Sequence, residues 1–265
     1  MKKFVKKMVS KLYVIIFLQF EKTFITDKCQ LKYLFFKKNK SKRLLVIFSS
    51  CSREGLPARY NYLLKFRNLF CSKLYILDNF GFDKRGAYYL GEDKNFYIES
   101  AVHRLIERKR KELDIEKDKV VLVGSSKGGF AAIYFQNKYS YGASISGAPQ
   151  VYLGNYLNTN LHKHICTFIM GDTKQSSINF LNNLIFDAVK NNKGQSKVGI
   201  HVSKKEHTYL NHVAPLVEFF KENNLDIVLD FGDYHKHSDV GIHFSKFATK
   251  TIPIFFEELE NKSRK

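Results

Sequence analysis

Cysteine is scarce in this chain, and its placement excludes two architectures. The four cysteines, Cys29, Cys51, Cys71 and Cys166, lie far apart with no C-x-x-C pair. That spacing builds neither a zinc knuckle nor a disulfide framework, and it fits a reducing, cytoplasmic setting. The 9 histidines form no H-E-x-x-H pattern, so no metal site is expected. Long apolar runs are also missing. The longest near the start, Leu12 to Phe20, is too short to span a bilayer. Lys2, Lys3, Lys6 and Lys7 ahead of it resemble the basic flank of a signal peptide, but Glu21 and Lys22 stand where small cleavage-site residues would be. Residues 1–23 therefore read as a basic amphipathic segment that rests on a membrane surface or on the core. No nucleic-acid-binding motif, internal repeat or low-complexity linker interrupts the rest.

Acidic residues are the other shortage. There are 44 Lys and Arg against 25 Asp and Glu, a net charge of +19. Residues 1–43 alone hold 13 basic and 2 acidic side chains. Such a surface suits polyanions, and a lysine-rich solvated face accounts for the same numbers. Apolar residues make up 44% of the 265 positions, ordinary for a folded chain with a sizeable core.

The pattern along the chain predicts an α/β fold. Phe24-Ile25-Thr26 and Leu31 to Phe36 flank Asp27-Lys28 as a β-hairpin. Core strands are expected at Leu44 to Phe48, Lys73 to Leu77, Val120 to Val123, Gly142 to Ser146, Val198 to Val202 and Leu225 to Leu229. Helices are expected at Tyr60 to Phe70, Ile98 to Leu113, Gly129 to Phe135, 175–191 (a candidate cover for the substrate), His212 to Glu222 and Ser245 to Glu260, the last interrupted or begun late by Pro253. Apolar strands spaced by helices imply a mostly parallel sheet with helices on both faces, in one domain over 24–265.

One short motif carries chemistry. Gly124-Ser125-Ser126-Lys127-Gly128 follows an apolar strand and opens a small-residue helix. That is the strand–turn–helix context of a G-x-S-x-G nucleophile elbow, with Ser126 exposed at the tip of a strained turn. Gly124, Gly128 and Gly129 fit where a side chain would strike the facing strand or helix.

A serine hydroxyl needs a base and an acid that orients the base. Both are expected on loops after late strands, at the same sheet edge as Ser126. Glu206 leads as acid, with Asp172 as the second choice and Asp233 a poor third. His237 leads as base over His235, His207 and His243. The oxyanion hole is expected from the backbone N–H of Lys127 and from the Ser49–Ser52 loop, with Ser50 as the donor. The Lys127 side chain either adds a cation beside the site or points to solvent.

Taken together, these residues resemble bacterial capsular polysaccharide O-acetyltransferases with an α/β-hydrolase fold. The likeness runs in order through Phe48-Ser49-Ser50, Arg59-Tyr60-Asn61-Tyr62, Arg85-Gly86-Ala87-Tyr88-Tyr89, Gly124 to Gly129, Ala148-Pro149-Gln150, Ile200-His201, Glu206 and His237. It departs at Glu206, where the family carries Asp. The resemblance implies acetyl-CoA as donor and an anionic surface polysaccharide as acceptor, with Arg59 and Arg85 as candidate contacts to the phosphates. A carbohydrate esterase shares the same residues, and a non-enzymatic membrane-surface accessory protein is the reading from a different class.

Overall fold

The computed structural model describes residues 12–192, 194 and 197–262. The basic cluster Lys2, Lys3, Lys6 and Lys7 lies outside them. Helix α1 occupies 12–18. Eight strands then form one sheet: β1 Lys22–Ile25, β2 Gln30–Phe36, β3 Leu44–Phe48, β4 Ser72–Ile76, β5 Val120–Ser125, β6 Ala143–Gly147, β7 Lys197–Val202 and β8 Asp226–Phe231. Their order is β1-β2-β4-β3-β5-β6-β7-β8. The hairpin β1–β2 joins the sheet antiparallel to β4, and every other pairing is parallel. Strands β3, β4 and β5 are buried throughout, which is why β3 and most of β5 read as apolar runs.

The other α-helices are α2 Tyr97–Glu112, α3 Lys127–Tyr139, α4 Leu153–Leu157, α5 Lys163–Met170, α6 Gln175–Lys190, α7 Ala214–Glu222 and α8 Val240–Lys262. Neighbouring residues of a strand face opposite sides of the sheet. In β6, Ser146 points its hydroxyl at Gly129 of α3, whereas Gly147 lies under Phe244 of α8. Helices α3 and α8 therefore cover opposite faces, as the α/β pattern predicts. Helix α6 packs along α3 and α4 within one of these layers.

Two helix expectations are corrected. Tyr60 to Phe70 is a run of turns, not a helix. Its Tyr62, Leu63 and Phe66 face inward at helical spacing, but Tyr62 takes a left-handed φ of 63°. The side chains of Asn61 and Tyr62 bond to the loop beside Ser126, and a helix would point them elsewhere. The last helix begins at Val240 and runs straight through Pro253. Proline removes one helical hydrogen bond, but buried Phe244, Ala248, Ile252, Phe255 and Phe256 hold the segments on both sides of it to the sheet.

The elbow depends on close backbone approach. A Cβ on Gly128 would sit 2.7 Å from the Phe48 carbonyl oxygen and 3.1 Å from that of Ser49. Alanine at a helix position gains about 1 kcal/mol over glycine, while forcing an atom into a packed contact costs about 1–3 kcal/mol. Gly128→Ala is accordingly expected to lower the thermal unfolding midpoint; a raised midpoint would contradict the packing.

Candidate active site

Ser126 has φ 53° and ψ −123°, a strained conformation for a residue with a side chain. Its N–H donates to the Gly147 carbonyl at 2.7 Å, pinning the turn against the end of β6. Its Oγ is 2.9 Å from His237 Nε2. His237 Nδ1 is 3.0 Å from Glu206 Oε1. The structure thus brings together Ser126, His237 and Glu206 in one hydrogen-bonded line. His237 arrives on the short turn His237–Asp239 that opens α8, and Glu206 on the loop after β7.

Glu206 is held from several sides. Thr208 Oγ1 donates to its Oε1 at 2.6 Å, and His207 Nδ1 lies 3.0 Å from the same oxygen. Burial pushes the Glu206 carboxyl up, but the hydrogen bonds from His237 and Thr208, with the charge of nearby imidazoles, outweigh it and hold the carboxyl below its ordinary value. An ionised Glu206 fixes the tautomer: Nδ1–H donates to the carboxylate, leaving Nε2 to accept from Ser126. Gln150, fully buried, donates from Nε2 to Ser126 Oγ at 3.1 Å. Its amide nitrogen is also 3.2 Å from His237 Nε2. Gln150 and Thr208 were not singled out as site residues from sequence; the Ala-Pro-Gln motif was the signal that could have found Gln150.

Asp172 is not at the site. Its carboxylate accepts from Ser177 and the Lys174 N–H and pairs with Lys94, which hold it down at about 2. Asp233 pairs with Lys205. His243 packs against Tyr234 at 4.9 Å, and His235 is exposed. His212 is buried, accepts from the Tyr152 N–H and is pushed down to about 4 by that burial.

The Lys127 side chain neither reaches the site nor solvent. It is fully buried, and its Nζ donates to Asp78 Oδ2 at 2.9 Å and to the carbonyls of Asp78 and Arg85 at 3.2 and 3.0 Å. Asp78 in turn accepts from the N–H groups of Ala87 and Tyr89. Gly86, at φ 118°, lets the loop cross this pair: a Cβ there would meet Lys127 Nζ at 1.9 Å. As first residue of α3, Lys127 keeps a backbone N–H with no partner inside the helix, the position an oxyanion donor occupies.

Ser50 is corrected as the second donor, because its N–H is spent on Asn61 Oδ1 at 2.7 Å. Its hydroxyl bonds to Ser125, whose own hydroxyl meets Tyr62. The next N–H, that of Cys51, has no acceptor among the described residues. Arg85 is also corrected as an open phosphate ligand. Its Nε donates to Asp83 at 2.6 Å, another nitrogen reaches the Ser52 carbonyl at 3.4 Å, and the side chain is 7% exposed. Arg59 is exposed and has no ion pair among the described residues. Beside His207 opens a cavity of about 570 Å³ lined by Tyr152, Asn155, Tyr156, His162 and His212 among others.

No protein-family model matches this chain. No curated protein sequence matches it either. Solved structures do. The capsule O-acetyltransferase of Neisseria meningitidis serogroup A is 23% identical with a TM-score of 0.74, covering 87% of this chain and 92% of that one. Another structure of that enzyme, in complex with CoA, is 21% identical with a TM-score of 0.74 over 88% and 94% of the two chains. A fluorophosphonate-binding serine hydrolase of Staphylococcus aureus has a TM-score of 0.64 at 12% identity, over 89% and 97%. The fold is that of the α/β-hydrolases.

Two outcomes follow from the charges. Removing one member of a buried ion pair costs about 3–5 kcal/mol. Lys127→Met should therefore unfold well below the parent temperature, and adding Asp78→Asn should recover part of the loss in a double-mutant cycle. Additive losses, with the double variant losing the sum of the two single ones, would contradict the pairing. Because the folded Glu206 carboxyl lies below its ordinary 4.5, its stabilising contribution is complete above that value and is lost as pH falls through the lower folded one. Glu206→Gln should flatten that part of the stability profile in acid thermal scans; an unchanged profile would count against it.

Proposed function

We propose that this protein is a serine-dependent O-acetyltransferase that moves an acetyl group from acetyl-CoA to a hydroxyl of a surface polysaccharide. The observation that carries this reading is the Ser126–His237–Glu206 line on a strained elbow. Its order along the chain and its sheet edge are those of the α/β-hydrolase arrangement. The choice of acetyl transfer draws on the likeness to the meningococcal enzyme and on that enzyme's complex with CoA.

The chemistry is a double displacement. Ser126 Oγ attacks the thioester carbonyl while His237 Nε2 takes its proton. The N–H groups of Lys127 and Cys51 receive the charge that develops on the carbonyl oxygen. The CoA thiolate leaves and takes the proton from the imidazolium, which Glu206 stabilises at Nδ1. A sugar hydroxyl then attacks the acetyl-serine, giving its proton to His237 and restoring Ser126. Tyr156 and His162, stacked at 4.7 Å, offer flat apolar faces for a sugar ring in the cavity beside His207. The net charge of +19 favours an anionic glycan and the CoA phosphates, with Arg59 open to them.

Ser126→Ala and His237→Ala should each lower acetyl transfer by about a thousandfold or more while leaving the fold intact. Turnover of acetyl-CoA with and without capsule-type oligosaccharide separates transferase from esterase. A rate unchanged by acceptor, with only acetate released, would assign the site to hydrolysis, and full activity in Ser126→Ala would remove the nucleophile.

A further inference from the structure

A helix on the surface of a soluble domain turns its polar side outward. Helix α1 does not. Val14 and Phe17 face inward, and Phe17 packs edge-on against Phe36 at 5.2 Å. The opposite stripe, at helical spacing, is Leu12, Ile15 and Ile16, exposed by 58%, 55% and 45%. Tyr13, Leu18 and Phe20 add exposed apolar area on its flanks. The helix is nevertheless anchored. Glu21, just beyond it, accepts from Tyr60 Oη at 3.0 Å and pairs with Lys32 at 2.9 Å. Arg67 lies over the Tyr13 ring at 5.4 Å. Burial within the fold thus accounts for one side of the helix and leaves the apolar outer side uncovered, a patch of the kind that marks an interaction site.

The surrounding charge selects the occupant. Five lysines (2, 3, 6, 7 and 11) precede the helix in sequence. Lys22, Lys28, Lys37, Lys38 and Lys40 follow it, all exposed and without an ion pair among the described residues. Two copies of such a surface would repel one another, whereas an anionic lipid headgroup layer attracts it. We propose that α1 is an interfacial anchor that lays its outer face into an anionic phospholipid surface. The helix is too short to cross a bilayer, and no helix among the described residues is long and apolar enough to do so. Apolar insertion and a basic flank together supply the two signals that stable surface binding needs. The anchor is independent of the chemistry proposed for Ser126.

Co-sedimentation of the full chain with vesicles tests this. Vesicles of phosphatidylcholine with about a third phosphatidylglycerol should bind the protein, pure phosphatidylcholine should bind it far less, and added salt should release it. Ile15→Glu with Ile16→Glu should weaken partitioning at least about tenfold. Because both side chains point outward, the thermal unfolding midpoint should stay unchanged. Absence of binding to the anionic vesicles, or equal binding by the double variant, would overturn the proposal. So would a wild-type dimer that ignores vesicles and becomes monomeric in the double variant, since a second copy would then be the occupant.

Discussion

The site stands on the buried Lys127–Asp78 ion pair. Net stability does not explain such a pair, because well-packed apolar residues of similar volume serve as well or better. A lysine at the first position of α3 also opposes the helix dipole, and that helix has no acid in its first turn. What the pair does is organise backbone. Asp78 gathers the N–H groups of Ala87 and Tyr89, and Lys127 gathers the carbonyls of Asp78 and Arg85. The loop they hold carries two tyrosines, Tyr88 and Tyr89, in left-handed conformations at φ 54° and 59°. Tyr89 then donates to the Ile76 carbonyl and meets the Ser49 hydroxyl. One ion pair thereby ties the residue after Ser126 to the loop that follows β3.

The same economy operates on the other side of the elbow. Asn61 and Tyr62 fasten Ser50 and Ser125, so the loop after β3 cannot drift from Ser126. Burial pushes the Tyr62 hydroxyl up to about 12, so it stays protonated and can donate. Strain at Ser126 persists because these contacts over-determine the turn. Of the residues named in the resemblance, Asn61 and Tyr62 bond to Ser50 and Ser125, Tyr89 meets Ser49, and Gln150 donates to Ser126 itself.

Much of this was legible in the sequence, for identifiable reasons. Strands buried on both faces announce themselves as apolar runs, and the elbow announces itself by glycines that backbone contacts require. Ser126, Glu206 and His237 could be ordered because the α/β-hydrolase topology, not the chemistry, fixes their succession. Less legible was whatever tertiary context decides. Tyr60 to Phe70 has helical spacing, yet its polar side chains are recruited to the site. Ser50 looked like a donor until Asn61 claimed its N–H. Asp78 gave no local signal, since a lone aspartate after a strand is usually solvated, and only packing shows it beneath Lys127. Pro253 read as a helix break, but burial on both sides of it kept α8 continuous.

The central claim is that Ser126 carries an acetyl group. Mass spectrometry of the intact protein after brief exposure to acetyl-CoA, followed by peptide mapping, addresses it directly. One acetyl adduct should form, map to the peptide holding Ser126, vanish in Ser126→Ala and discharge when a suitable hydroxyl acceptor is added. Turnover of acetyl-CoA with no adduct on Ser126, or with the adduct on another residue, would contradict the account.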